Sequence, residues 1–160
     1  MREIKFRAWD GERMWYPGDD NRTDVVKFSY DKSGNMAAAH VGQEDYDNDV
    51  YGPRWYSFEP TPKMALMQST GLKDKNGIEI YEGDLVKWDD CSNGRYWRVA
   101  VVEFTPSLDL RIVENSLYPI SSYKGDVFHY SNFIYRDTHN HLTIVGNVYA
   151  NPELLIPFTA

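Results

Sequence analysis

A single cysteine, Cys91, stands in the whole chain, so no intrachain disulfide can form. Its neighbours Asp89, Asp90 and Ser92 disfavour the thiolate that a nucleophile needs, which argues against catalysis there. No run approaches the ~18 apolar residues that a membrane helix requires, and the start of the chain lacks the apolar core of a secretion signal. The expectation is a cytoplasmic protein with no membrane partner. Basic residues are also in short supply: 17 Lys and Arg face 24 Asp and Glu, a net charge of −7. Phosphate backbones are gripped chiefly by Lys and Arg, which release condensed counterions. The balance therefore disfavours nucleic acid as a partner while leaving room for a local basic patch. Internal repeats and low-complexity tracts are absent.

Aromatic residues, by contrast, make up 15% of the chain, and flat rings pack well on pleated sheets. Eight prolines and eleven glycines supply the punctuation of a turn-rich β protein. At 160 residues the chain is one domain or two small, closely packed ones, long enough to bury a substantial core.

The stretch from Leu66 to Trp88, LMQSTGLKDKNGIEIYEGDLVKW, carries the densest structural information. Asn76-Gly77 is a strong short hairpin signal, predicting a type I′ turn with positive φ at both central positions. Ile78 and Ile80 alternate with Glu79 and Tyr81, which places the two isoleucines on one apolar face. Glu82-Gly83-Asp84 then turns the chain into a further strand from Leu85.

Before this stretch, Ile4, Phe6 and Ala8 alternate with Lys5 and Arg7, as in a half-buried strand. Asp10-Gly11-Glu12 turns the chain back, so that Trp9 can meet Trp15 or Tyr16 across a hairpin. A strand over 25–30 is followed by a turn over 31–35. Residues 36–41 contain Ala37-Ala38-Ala39, whose propensity is helical; pairing with 24–30 nonetheless favours a short strand. Residues 43–52 are acidic without a compensating cation and read as a solvated loop. Strands over 54–58 and 63–69 flank the Glu59-Pro60-Thr61-Pro62 corner, the expected boundary between an N-terminal β region, 1–60, and a second domain, 61–160.

After it, residues 96–104, YWRVAVVEF, form the most apolar run and predict a central strand. Residues 108–113 complete a hairpin, and further strands are expected over 118–123, 126–135 and 142–149. Asn151 as a cap and Pro152 at the first helical position predict one helical turn at the end. Many short strands broken by Gly, Pro, Asn and Asp indicate a mainly β barrel or sandwich.

Three blocks, MREIKFRAWD at the start, TGLKDKNGIEIYEGDLVKW in the middle and IVGNVYANPELL near the end, together resemble the YopX family of phage and prophage proteins. The blocks span the chain. The resemblance implies an SH3-like small barrel in the C-terminal part and a phage or prophage origin. It implies no activity, cofactor or site residue, because the family is largely uncharacterised.

Candidate chemistry is sparse. Asp137, His139 and His141 alternate, and on an extended strand two imidazoles and a carboxylate on one face would suit zinc or iron. A polar turn before the last strand explains the same residues. Asp45, Asp47 and Asp49 echo the first ligands of a calcium loop, but Val50 replaces the turn glycine and Tyr56 the bidentate glutamate. Glu79, Glu82 and Asp84 are better explained by turn formation than by acid–base work, and Ser69 and Thr70 have no neighbouring base. Gly71, Gly77 and Gly83 read as hairpin-turn glycines, not a phosphate loop. Trp88, Arg95, Tyr96, Trp97, Arg98 and Tyr118 could line a groove that stacks bases or peptide side chains; core packing is the competing explanation.

The expectation is a non-enzymatic module without a cofactor that assembles with copies of itself or with a host protein. A nucleic-acid-binding small barrel is the alternative, and a metal-dependent enzyme built on Asp137, His139 and His141 the third.

Overall fold

The computed structural model describes residues 4–19, 24–30, 33–42, 64–89, 95–104, 107–115, 127–129 and 138–155. The chain is mainly β, built of antiparallel sheets, and among the described residues its helical turns are short 3-10 turns. It divides into two units, one of Phe6–Leu66 and the other of Met1–Lys5 with Met67–Ala160.

In the first unit, β1 (Phe6–Trp9) and β2 (Met14–Trp15) form the expected hairpin. The Asp10 carboxylate builds its turn by accepting the N–H groups of Glu12 and Arg13, each at 2.7 Å. Its other oxygen accepts Trp15 Nε1–H at 2.7 Å, and the Arg13 guanidinium sits 4.2 Å over the Trp15 ring. The register sets Trp9 opposite Met14 and Ala8 opposite Trp15, so the expected meeting of tryptophans does not occur. Arg7, expected on a solvated face, is buried beside Ala8. Strands β3 (Asp24–Tyr30) and β4 (Met36–Gly42) pair along their full length, Asp24 to Gly42 through Tyr30 to Met36. The alanine run is therefore a strand: cross-strand pairing overrides a propensity worth only tenths of a kcal/mol per residue, about 0–0.7. Ala8, Trp15, Ala38 and Met64 make this unit's core, with Phe28 and Leu66 against it.

In the second unit, β5 (Ala65–Lys73) pairs with β6 (Glu79–Tyr81) through a register shift between Ser69 and Lys73. Two hydroxyls knit this bulge. Ser69 Oγ donates to Glu79 Oε1 at 2.7 Å and accepts Gly71 N–H; Thr70 Oγ1 donates to the Ile80 carbonyl at 2.8 Å and accepts Leu72 N–H. Gly71 thus serves the bulge rather than a hairpin turn.

The Asn76-Gly77 hairpin differs from the expected two-residue turn. Gly77 N–H donates to the Asp74 carbonyl at 2.9 Å and Asp74 N–H to the Ile78 carbonyl at 2.8 Å, so the loop holds three residues. Gly77, with φ of 81°, takes the left-handed position that ends such loops. Ile78 closes the loop and is exposed, while Ile80 and Tyr81 are buried; the expected alternation fails because Ile78 precedes the strand.

Strands β7 (Asp84–Asp89), β8 (Trp97–Phe104), β9 (Leu108–Asn115), β10 (Val127–His129) and β11 (Thr143–Asn147) form a five-stranded sheet in the order β10-β9-β8-β7-β11. The apolar run is its centre, as its sequence indicates. One face packs Ile80, Val86, Trp88, Ala100, Val102, Leu110, Ile112 and Leu142 into the main core. The opposite face carries a smaller cluster of Leu85, Val99 and Val101, with Trp97, Val113, Val148 and Leu155 partly covering it. The closing turn, Pro152–Leu155, is 3-10, and Leu154 N–H donates to the Asn151 carbonyl. The Asn151 side chain does not cap that turn; its oxygen accepts Asn147 N–H at 3.3 Å.

Candidate functional site

Several polar residues of the central and closing sequence blocks have structural partners. Asp74 is 3% exposed, and its carboxylate accepts four N–H groups. Oδ1 takes Asn76 N–H at 2.8 Å and Ile78 N–H at 3.0 Å; Oδ2 takes Asn76 Nδ2–H at 3.3 Å and Ile144 N–H at 3.2 Å. Burial pushes this carboxyl up, but the backbone N–H groups of Ile78, Ile144 and Asn76 outweigh it and hold the group below the ordinary range. Asp84 Oδ2 accepts Tyr81 N–H at 2.8 Å and shapes the turn into β7. Asn147 Oδ1 accepts the N–H groups of Tyr149 and Ala150 at 3.0 and 2.8 Å. Glu79 holds Ser69 and faces Lys5 at 3.5 Å. The carboxylates of Glu79 and Asp84 thus build a strand contact and a turn, while Glu82 joins through its backbone N–H, which donates to the Gln68 carbonyl at 2.8 Å.

The candidate groove divides between the two faces of the sheet. β7 and β8 pair with Trp88 opposite Arg98, Lys87 opposite Val99 and Asp89 opposite Trp97. Trp88 is 6% exposed and belongs to the main core, so it lines no groove. Trp97 lies on the other face with Leu85, Val99 and Val101, because alternate residues of a strand point to opposite sides. There Lys87 Nζ stands 4.5 Å from the centre of the Trp97 ring, a diagonal cross-strand pair. Arg95 and Tyr96 are exposed where the chain enters β8, and Arg98 is half-buried on the face of Trp88. Tyr118 lies outside the described residues. Further along the Trp97 face, Arg111 Nε and Nη2 both donate to Glu103 Oε1, at 2.8 and 2.6 Å. That hydrogen bond holds the guanidinium protonated above its usual range.

What emerges is a half-exposed patch where β7 ends and β8 begins, made of Lys87, Trp97, Tyr96 and Arg95. Sequence reading found three of these four and missed Lys87. The signal for Lys87 was its strand alternation opposite Trp88, which becomes usable only once the register of β7 against β8 is fixed.

The candidate metal ligands are not brought together on a strand. Thr138–His141 form a 3-10 turn, whose side chains recur every three residues instead of every two, so the extended backbone that would align His139 with His141 is absent. His141 is exposed, and Asp137 lies outside the described residues, as do Cys91, the acidic segment 43–52 and the expected strands over 54–58 and 118–123. Among the described residues, no group of three or more His, Cys, Asp and Glu side chains could hold a metal ion. No helix among them is long and apolar enough to cross a membrane.

No curated protein matches the chain. Among solved structures, it is similar to protein EF1440 from Enterococcus faecalis, with 27% identity and a TM-score of 0.51; the match covers 98% of this chain and 100% of that one. The YopX protein family model matches residues 5–156, which takes in the central and closing sequence blocks whole and the opening block from Lys5 onward. The chain belongs to the YopX family.

Proposed function

We propose that the chain is a non-enzymatic protein-binding module of phage or prophage origin, acting in the bacterial cytoplasm. Its partner is a second copy of the chain or a host protein, and the contact lies where β7 ends and β8 begins. The observation that carries this reading is Lys87 stacked 4.5 Å over Trp97, beside exposed Tyr96 and Arg95. Tryptophan, tyrosine and arginine are the residues that dominate protein-interface hot spots. Thr70, Asp74, Asp84 and Asn147, by contrast, hold a bulge, turns and strand ends, and Lys87 is the residue of the central block that contributes to the patch.

Nucleic-acid binding is the second reading, favoured by the same observation of cations beside an aromatic ring. A base stacked on Trp97 must compete with Lys87 for the ring face, and a polyanion meets a chain of net charge −7. Both features rank it below protein binding.

Capture of partners from host lysate, with and without nuclease, separates the two. The first reading expects a nuclease-resistant protein that Trp97→Ala and Lys87→Glu both lose while remaining folded. Partners that disappear with nuclease treatment, together with salt-sensitive binding to a single-stranded probe, would replace it with the second.

A further inference from the structure

An edge strand offers its outward N–H and C=O groups to any other strand that approaches, and most proteins blunt such an edge with charge, proline or a covering loop. β11 ends the five-stranded sheet, and among the described residues β7 is its strand partner. Its residues, Thr143, Ile144, Val145, Gly146 and Asn147, include neither charge nor proline. Three of them are β-branched, and Val145 is 42% exposed. By composition this is an unprotected edge.

Backbone groups at both of its ends are nonetheless taken. The Leu142 carbonyl accepts Lys75 N–H at 3.0 Å. Ile144 N–H donates to Asp74 Oδ2 at 3.2 Å, across a separation of 70 residues. At the far end, Asn147 N–H donates to Asn151 Oδ1 at 3.3 Å, and the Asn147 carbonyl accepts Asn151 N–H at 2.9 Å. The register shift between Ile144 and Gly146 adds a local irregularity between the two capped ends. Two separate segments, the 74–78 loop and Asn151, therefore do by hydrogen bonding what charge or proline does elsewhere.

We propose that these two segments form an edge guard that keeps β11 from pairing with β11 of a second copy of this chain. An uncharged, β-branched strand is complementary to itself across a two-fold axis, so the copy is the occupant that its composition fits best. The guard is independent of the β7–β8 patch: it governs association along the sheet edge, whereas the patch lies on a sheet face.

The test uses Lys75→Pro and Asp74→Asn, alone and combined, in the full chain. Position 75 is the second residue of the turn that Asp74 and Gly77 close, where proline is favoured, so Lys75→Pro removes the N–H to Leu142 and keeps the turn. Sedimentation velocity across a concentration series reads association, and amide exchange at Ile144 reads the edge. The expected result is an apparent dimer dissociation constant lowered about tenfold or more relative to the unsubstituted chain. Exchange at Ile144 should quicken in dilute protein and slow again as the concentration rises. Quickened exchange with no change in association would overturn the proposal, because the edge would then be open and unused. Unchanged exchange at Ile144 in the combined variant would overturn it too, because Asp74 and Lys75 would not be the guard.

Discussion

Removing the Asp74 carboxylate should cost this chain more than removing any exposed charge. The group is 3% exposed and accepts backbone N–H groups from Asn76, Ile78 and Ile144 besides the Asn76 side chain. Hydrogen bonds to a charged acceptor contribute about 1.5–3 kcal/mol each, and donors near the surface recover part of that from water. Of the three backbone donors, Ile144 N–H lies on a strand edge covered by the 74–78 loop and recovers least. Asp74→Ala should therefore destabilise by about 3–4 kcal/mol, within the range for breaking a buried polar network. At this chain length that corresponds to a melting temperature lower by roughly 10 °C. Asp74→Asn, which keeps one oxygen acceptor, should lose about half as much.

The pH dependence follows from the same contacts. The folded-state pKa lies below the unfolded value of about 3.9, so the carboxylate's contribution is fully present above that pH. It is lost as pH falls through the folded value. Urea unfolding of the wild type and Asp74→Ala from about pH 7 down to about pH 2 tests this, and the gap between them should narrow only below about pH 4. A gap under about 1 kcal/mol at neutral pH, or one that stays constant into acid, would refute the reasoning.

Three further outcomes follow from the packing. Trp88→Ala should cost about 3–5 kcal/mol, because its ring fills the main core, whereas Trp97→Ala should cost clearly less by the same urea assay. A Cβ on Gly146 would meet Asn151 Oδ1 at 2.6 Å and displace it, so Gly146→Ala and Asn151→Ala should be non-additive in a double-mutant cycle, with Gly146→Ala milder once Asn151 is gone. Arg111→Ala should change stability by no more than about 1 kcal/mol, despite the close contact with Glu103, because both side chains keep substantial solvent exposure.

Strand positions were legible where periodicity and turn chemistry agree. Residues 96–104 announce a central strand because six apolar residues of WRVAVVEF can fill both faces of a sheet, and β8 is that strand. The Asp10-Gly11-Glu12 and Glu82-Gly83-Asp84 turns were likewise local, and each is built by an aspartate within three residues of the N–H it accepts. What sequence could not supply was any contact whose partner is distant. Asp74 looks like an ordinary turn residue until Ile144 closes on it, and that contact, with the Asp74–Ile78 pairing, gives a three-residue loop where Asn76-Gly77 suggests two. The groove failed for a related reason. Trp88 and Trp97 are both aromatic residues near one strand connection, but alternation sends one into the core and the other to the opposite face. Gly146 and Asn151 show the same limit on a shorter scale: the glycine is needed because a side chain five residues later occupies its Cβ position.

The central claim is a division of labour, in which Asp74 and the 74–78 loop hold the fold while Lys87 and Trp97 at the β7–β8 end hold the partner. The most direct test is nuclease-treated capture from host lysate with three folded baits: wild type, Trp97→Ala and Asp74→Asn, at a temperature where all three are native. The account predicts a protein partner retained by the wild type and Asp74→Asn and lost by Trp97→Ala. A partner retained by Trp97→Ala and lost by native Asp74→Asn would place the binding chemistry at the 74–78 loop instead of the β7–β8 end and contradict it.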